Sequence, residues 1–157
     1  MVSFFYVQRT QGGIMMPSSS DRQLPEIRQV QVLRAPIEKV WEAAATSAGI
    51  EAWFMPNTFV AEEGAEFILH AGPFGDSRCR VTELSPPHRL SFDWGEQWSV
   101  AFELKELEPG VTEFTVIHGG WSEDGVTEFG QSHREVRERM NGGWAGIVKK
   151  LAAVLEG

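Results

Sequence analysis

Between Trp98 and Leu104 every second residue is apolar, and the rhythm resumes at Phe114 and Val116 after the turn Glu108-Pro109-Gly110. Side chains alternate across a strand, so a period of two builds a sheet with one apolar face. From residue 132 the period changes. Met140, Trp144, Ile147, Val148, Leu151 and Leu155 recur at helical spacing, which predicts a helix over 132–155 with one apolar stripe. A one-sided sheet and a one-sided helix must bury against each other.

The rest of the chain fits round that pair. Residues 27–34 read as a strand, with Val30 and Val32 facing one way, and Ala35-Pro36 stops it. Pro36 suits a first helical turn. A helix is expected over 36–45, with Ile37, Val40, Trp41 and Ala44 on one side, and a second, short one over 47–54. Strands follow at 59–61 (weak), 65–71, 78–84, 88–94, 97–107 and 111–118. Glu63-Gly64, Gly72-Pro73, Pro86-Pro87, Gly95-Glu96 and Pro109-Gly110 break them. Residues 119–130 read as a loop. Ser132 with Glu135 fits a capping box for the last helix. Gly142-Gly143 inside that helix predicts a kink or a close approach to the sheet. The order of elements gives an α+β class with an antiparallel meander of about six to seven strands. Such a sheet twists and curves. A helix laid across it leaves room at one end, and the two short helices can close that end over a cavity.

The chain has 157 residues and a formal net charge of −8. That length suits one domain, and that charge disfavours nucleic acid or an anionic membrane surface as a partner. The cations of His133-Arg134-Glu135-Val136-Arg137-Glu138-Arg139 alternate with acids, the pattern of a solvated helix face. No apolar run approaches the ~20 residues of a membrane span, so membrane insertion is not expected. Cys79 is the only cysteine, which excludes an intrachain disulfide and fits a cytoplasmic location. Residues 1–25 differ in composition and read as a flexible tail ahead of a domain over 26–157, with Met15 or Met16 as an alternative start of translation.

Six segments in order resemble one known family. They are Ala35-Pro36-Ile37-Glu38-Lys39-Val40-Trp41, Trp53-Phe54-Met55-Pro56, Ser85-Pro86-Pro87-His88-Arg89-Leu90-Ser91-Phe92-Asp93-Trp94, Glu106-Leu107-Glu108-Pro109-Gly110, His118-Gly119-Gly120-Trp121 and Gly142-Gly143-Trp144-Ala145-Gly146. Together they resemble the START-like superfamily (SRPBCC, Bet v 1-like). Within it they resemble the branch named for the activator of heat shock protein 90 ATPase, homologue-1-like. The resemblance spans about residues 26–156. It implies a helix-grip fold, in which a curved antiparallel sheet wraps a long C-terminal helix, and an interior that holds hydrophobic small molecules such as lipids, polyketides or flavonoid-like compounds. The co-chaperone that names the branch carries an additional N-terminal domain, for which this chain shows no counterpart.

Six tryptophans is a high count for one small acidic domain. Each ring is either packed core or the wall of an apolar pocket. On the pocket reading the lining is Trp53, Phe54, Phe67, Leu69, Phe92, Trp94, Trp98, Phe102, Phe114, Val116, His118, Trp144, Ile147 and Val148. His118 keeps phase with Phe114 and Val116, so it points inward. There it is a buried neutral histidine, a polar contact for a ligand, or a general base. His70 faces outward, His88 sits in a turn and His133 at a helix start. Glu83 falls in the inward phase unless a bulge near Thr82 shifts it. No histidines have metal-ligand spacing, and nucleophile elbows and phosphate loops are absent. No catalytic residue, metal or cofactor is therefore assigned. Three functions stay open: binding of a hydrophobic small molecule, a chaperone-associated interaction module, and a cyclase- or hydrolase-like enzyme using His118 and an inward acid. The first makes the protein a monomer or weak homodimer whose partner is the ligand.

Overall fold

The alternating segments pair into one six-stranded antiparallel sheet. Its strands are Ile27–Leu33 (β1), Glu66–His70 (β2), Asp76–Ser85 (β3), Arg89–Trp94 (β4), Trp98–Glu108 (β5) and Val111–Gly119 (β6), in the spatial order β1-β6-β5-β4-β3-β2. Two short helices, Ile37–Ala44 (α1) and Ser47–Trp53 (α2), follow the first strand, and His133–Glu156 (α3) closes the chain. This computed structural model describes residues 23–72, 75–123, 125–126 and 130–156. The expected tail lies outside the described residues as far as residue 22. From there the chain is attached: Gln23 forms an antiparallel bridge with Ser122, and the Leu24 N–H donates to the Trp121 carbonyl at 3.0 Å.

The inner face of the sheet carries Phe67, Leu69, Phe92, Trp94, Val100, Phe102, Phe114, Val116 and His118, all buried. Against it lie Val136, Trp144, Val148 and Leu151 of α3, and Val40, Ile50 and Trp53 of the short helices. Thr46 caps α2, its hydroxyl accepting from the Gly49 N–H at 3.0 Å. Gly49 lets α1 and α2 touch: a Cβ there would stand 2.5 Å from the Glu42 carbonyl oxygen and 2.7 Å from the Ala43 Cα. At α3, half of the expected capping box forms, the Glu135 N–H donating to the Ser132 hydroxyl at 3.4 Å.

Three expectations need correction, and two points left open are decided. Residues 59–61 form no strand. The edge of β2 is met earlier, by an Asn57–Leu69 bridge and a Thr58 N–H bond to the Ile68 carbonyl, after which Asn57 turns the chain by accepting from the Phe59 N–H. Val30 and Val32 share a face as expected; it is the outer one, and each is about half exposed. The inner positions belong to Ile27, Gln29, Gln31 and Leu33. Gln29 earns its place there by donating to the Asn141 side chain on α3 at 2.9 Å. Gly142 and Gly143 make no close approach to the sheet. Both lie on the exposed side of an unbroken α3, with nothing within 4 Å of an added Cβ. Glu83 points outward. A register shift between Val81 and Glu83 reverses its phase, and it accepts from Arg89 Nε at 2.9 Å. Finally, His133 leaves the solvated helix face and is buried.

Candidate functional site

The register of the sheet sets the site. Pairing of β4 with β5 puts Trp94 opposite Trp98, pairing of β5 with β6 puts Val100 opposite His118, and pairing of β1 with β6 puts Ile27 opposite His118. All but Trp98 are buried on the face toward α3. Then α3 brings Trp144 down onto His118, and its indole N–H donates to His118 Nδ1 at 2.9 Å. After β6 the chain turns at Gly120, which has φ of +93° and no room for a Cβ beside the Gln97 carbonyl. That turn carries Trp121 back, and its indole N–H donates to the His118 carbonyl at 2.9 Å.

Four tryptophans therefore surround one imidazole. Trp94 stacks on it, with centroids 5.5 Å apart and planes at 19°. Trp98 meets it at 5.1 Å and 76°, Trp121 at 4.7 Å and 42°, and Trp144 at 6.0 Å and 85°. His118 is 0% exposed, and burial without a counter-charge pushes its pKa down to about 3. The ring is thus neutral. Because Nδ1 accepts from Trp144, the single ring proton sits on Nε2. That Nε2–H has no partner, and neither has the buried indole N–H of Trp98.

A second group of rings adjoins the first. Trp53 packs on Phe102 and Phe114 at 5.5 and 5.7 Å, and Phe92 joins Phe102 to Phe67. Trp53 is locked by its N–H bond to the Ala43 carbonyl at 2.8 Å. Phe54 links the groups. It stacks on Trp144 at 5.0 Å and meets Trp94 edge-on at 5.8 Å. Being half-buried, it covers two walls of the His118 box from the rim.

Of the fourteen candidate residues, Phe54, Trp98 and Ile147 are half-buried and the rest are buried. Trp94, Trp98, His118, Trp144 and Phe54 come together, as do Trp53, Phe67, Phe92, Phe102 and Phe114. Leu69, Val116, Ile147 and Val148 complete the interior packing. These rings line the region between sheet and helices in which the sequence placed a cavity. Two surface grooves, of about 490 and 330 Å³, lie on the outer face, and only Phe67 of the candidates borders one.

Sequence reasoning missed two members. Trp121 is buried against Trp98 at 4.7 Å, and His133 packs edge-on to Trp121 at 5.6 Å. The His133 ring accepts from the Ser122 N–H at Nδ1 and, through Nε2–H, donates to Gln97, both at 3.0 Å. Burial lowers its pKa as well. The one available signal was Gly119-Gly120, whose turn returns Trp121 to the sheet. Glu83, the acid considered beside His118, faces the other side of the sheet. Among the described residues no group of three or more His, Cys, Asp and Glu side chains could hold a metal ion. No helix among them is long and apolar enough to cross a membrane.

Comparison with known proteins adds the following. Residues 34–156 match the family model described as activator of Hsp90 ATPase homolog 1-like protein. A search of curated proteins finds no match. A Bacillus halodurans protein solved in solution is 45% identical, with a TM-score of 0.76 over 85% of this chain and 99% of that one. DynU16, from the dynemicin biosynthetic locus, is 25% identical, with a TM-score of 0.69 over 83% of this chain and 47% of its own. The Aha1 dimer from Colwellia psychrerythraea shares the fold at 20% identity and a TM-score of 0.69, over 85% of this chain and 97% of that one.

Proposed function

The chain belongs to the activator of Hsp90 ATPase homolog 1-like family, and from that premise we propose that it binds a hydrophobic small molecule between the sheet and α3. The observation that carries this reading is the makeup of the interior around His118. Planar rings line most of it, beside Ile27 and Val100, and a half-buried ring, Phe54, covers it from the edge. Apolar walls with a few polar groups are what ligand sites offer. Phe54 stacks on Trp144 at the edge of these rings, and in this reading a guest enters by displacing it. Lipid, polyketide and flavonoid-like frames fit the chemistry, and a relative from a biosynthetic locus supports a small-molecule role. In this reading the protein is a cytoplasmic monomer or weak homodimer, with a part in stress response.

The test uses N-phenyl-1-naphthylamine, an uncharged apolar probe. Its titration should quench tryptophan emission to saturation at one site and raise the melting temperature. A panel of planar apolar compounds that changes neither quantity would overturn the reading.

A second reading, favoured by exposed valines and arginines on the outer face, is docking of a chaperone there. That face exposes Val30, Val32, Arg78 and Arg80. Its test is retention of the chain on immobilised Hsp90, with charge reversal of Arg78 and Arg80 abolishing retention and Phe54→Ala leaving it intact.

A further inference from the structure

Three of the buried indoles have acceptors at 2.8–2.9 Å: Trp53 on the Ala43 carbonyl, Trp121 on the His118 carbonyl and Trp144 on His118 Nδ1. Against these three, two buried ring N–H groups on neighbouring rings have no acceptor. These are His118 Nε2–H and Trp98 Nε1–H, on rings whose centroids are 5.1 Å apart. An unanswered buried donor is costly, and its presence calls for an explanation.

We infer that the ligand of this chamber presents an uncharged acceptor oxygen, a ketone, ester or amide carbonyl on a planar apolar frame, to the N–H groups of His118 and Trp98. The inference rests on the small-molecule reading above and adds the chemical class. Both vacant groups are donors, so the guest atom must accept. A carboxylate accepts well but brings a charge. The rings packed on His118 are four neutral indoles, and the nearest other titratable ring, His133, is neutral and has both nitrogens engaged. An anion here would lose its hydration without gaining a cation. A water molecule would accept from the two donors but bring two O–H groups that need acceptors among the rings. A carbonyl oxygen brings lone pairs and no hydrogens, and its aromatic frame stacks where Phe54 now lies.

The experiment compares 9-fluorenone with fluorene, which share a planar frame and differ in the carbonyl, and adds fluorene-9-carboxylate for charge. Affinities come from quenching of tryptophan emission. The ¹⁵N–¹H signals of His118 Nε2 and Trp98 Nε1 report the donors. Fluorenone should bind at least tenfold more tightly than fluorene and shift both signals downfield, and the carboxylate should bind more weakly than either. Trp98→Phe keeps an aromatic ring and removes one donor. It should reduce the fluorenone preference several-fold without changing fluorene affinity, and His118→Phe should remove more of the preference. Equal affinities for fluorene and fluorenone would overturn the carbonyl assignment while leaving the chamber standing. Failure of both compounds to bind would overturn the chamber and the assignment with it.

Discussion

His118 binds fewer protons in the folded state than in the unfolded chain at any pH between the ordinary histidine value of 6.5 and about 3. Across that window the unfolded state takes up the extra proton, so stability is full above pH 6.5 and is lost as pH falls toward 3. His133, lowered by burial too, acts in the same direction. Urea midpoints should therefore fall between pH 7 and pH 4, and His118→Phe should flatten that fall. The His118 contribution is on the order of 5 kcal/mol at most over the full window. Trp144 is 0% exposed and holds the His118 tautomer. Trp144→Ala should cost about 3–5 kcal/mol in denaturant melts, the range for emptying a large aromatic site in a packed core. The inward direction of His118 was legible because it continues a strand's alternation. The burial of Trp121 and His133 was not. One follows a turn and the other starts a helix, and neither position inherits a phase from its neighbours.

Glycine shows how context decides at the level of elements. In α2, Gly49 faces the backbone of α1 at 2.5 and 2.7 Å from where a Cβ would lie. Gly49→Ala should push the two helices apart and cost about 1–3 kcal/mol, despite the better helix propensity of alanine. In α3, Gly142 and Gly143 face open space. Alanine at either should raise stability by up to about 1 kcal/mol. Paired thermal melts of these variants check both signs. The sequence displayed the same residue at both sites and nothing of what stood opposite. The strands show the same limit. Alternation over 98–104 and 114–118 gave the inner face correctly, because the large apolar residues, Ile117 apart, fell on one phase. In β1 both phases could be defended, valines on one and Ile27 and Leu33 on the other. Gln29 reaching Asn141 across 112 positions of chain helped set the outcome. In β3 the bulge after Val81 turned Glu83 outward, deciding between the two phases the sequence had left open.

For the molecule as a whole, the order of elements was readable from the sequence, and the state of the interior was not. Curvature brings the rings of the sheet against those of the helices, and alternation alone does not say how closely they pack. On the small-molecule reading, Phe54, which stacks on Trp144, is the ring a guest displaces on entry. Phe54→Ala should raise the association rate of N-phenyl-1-naphthylamine several-fold, seen by stopped-flow fluorescence, at a cost in stability below that of Trp144→Ala. The first strand, meanwhile, lies between the two that finish the fold. It pairs with β6, while Arg137 of α3 donates to the Pro25 carbonyl at 2.7 Å and Glu156 accepts from the Arg34 N–H at 3.0 Å. A ribosome makes β1 first and its partners last. The nascent chain therefore carries the sheet with its aromatic side bare until the two dozen residues of α3 have followed it out of the exit tunnel.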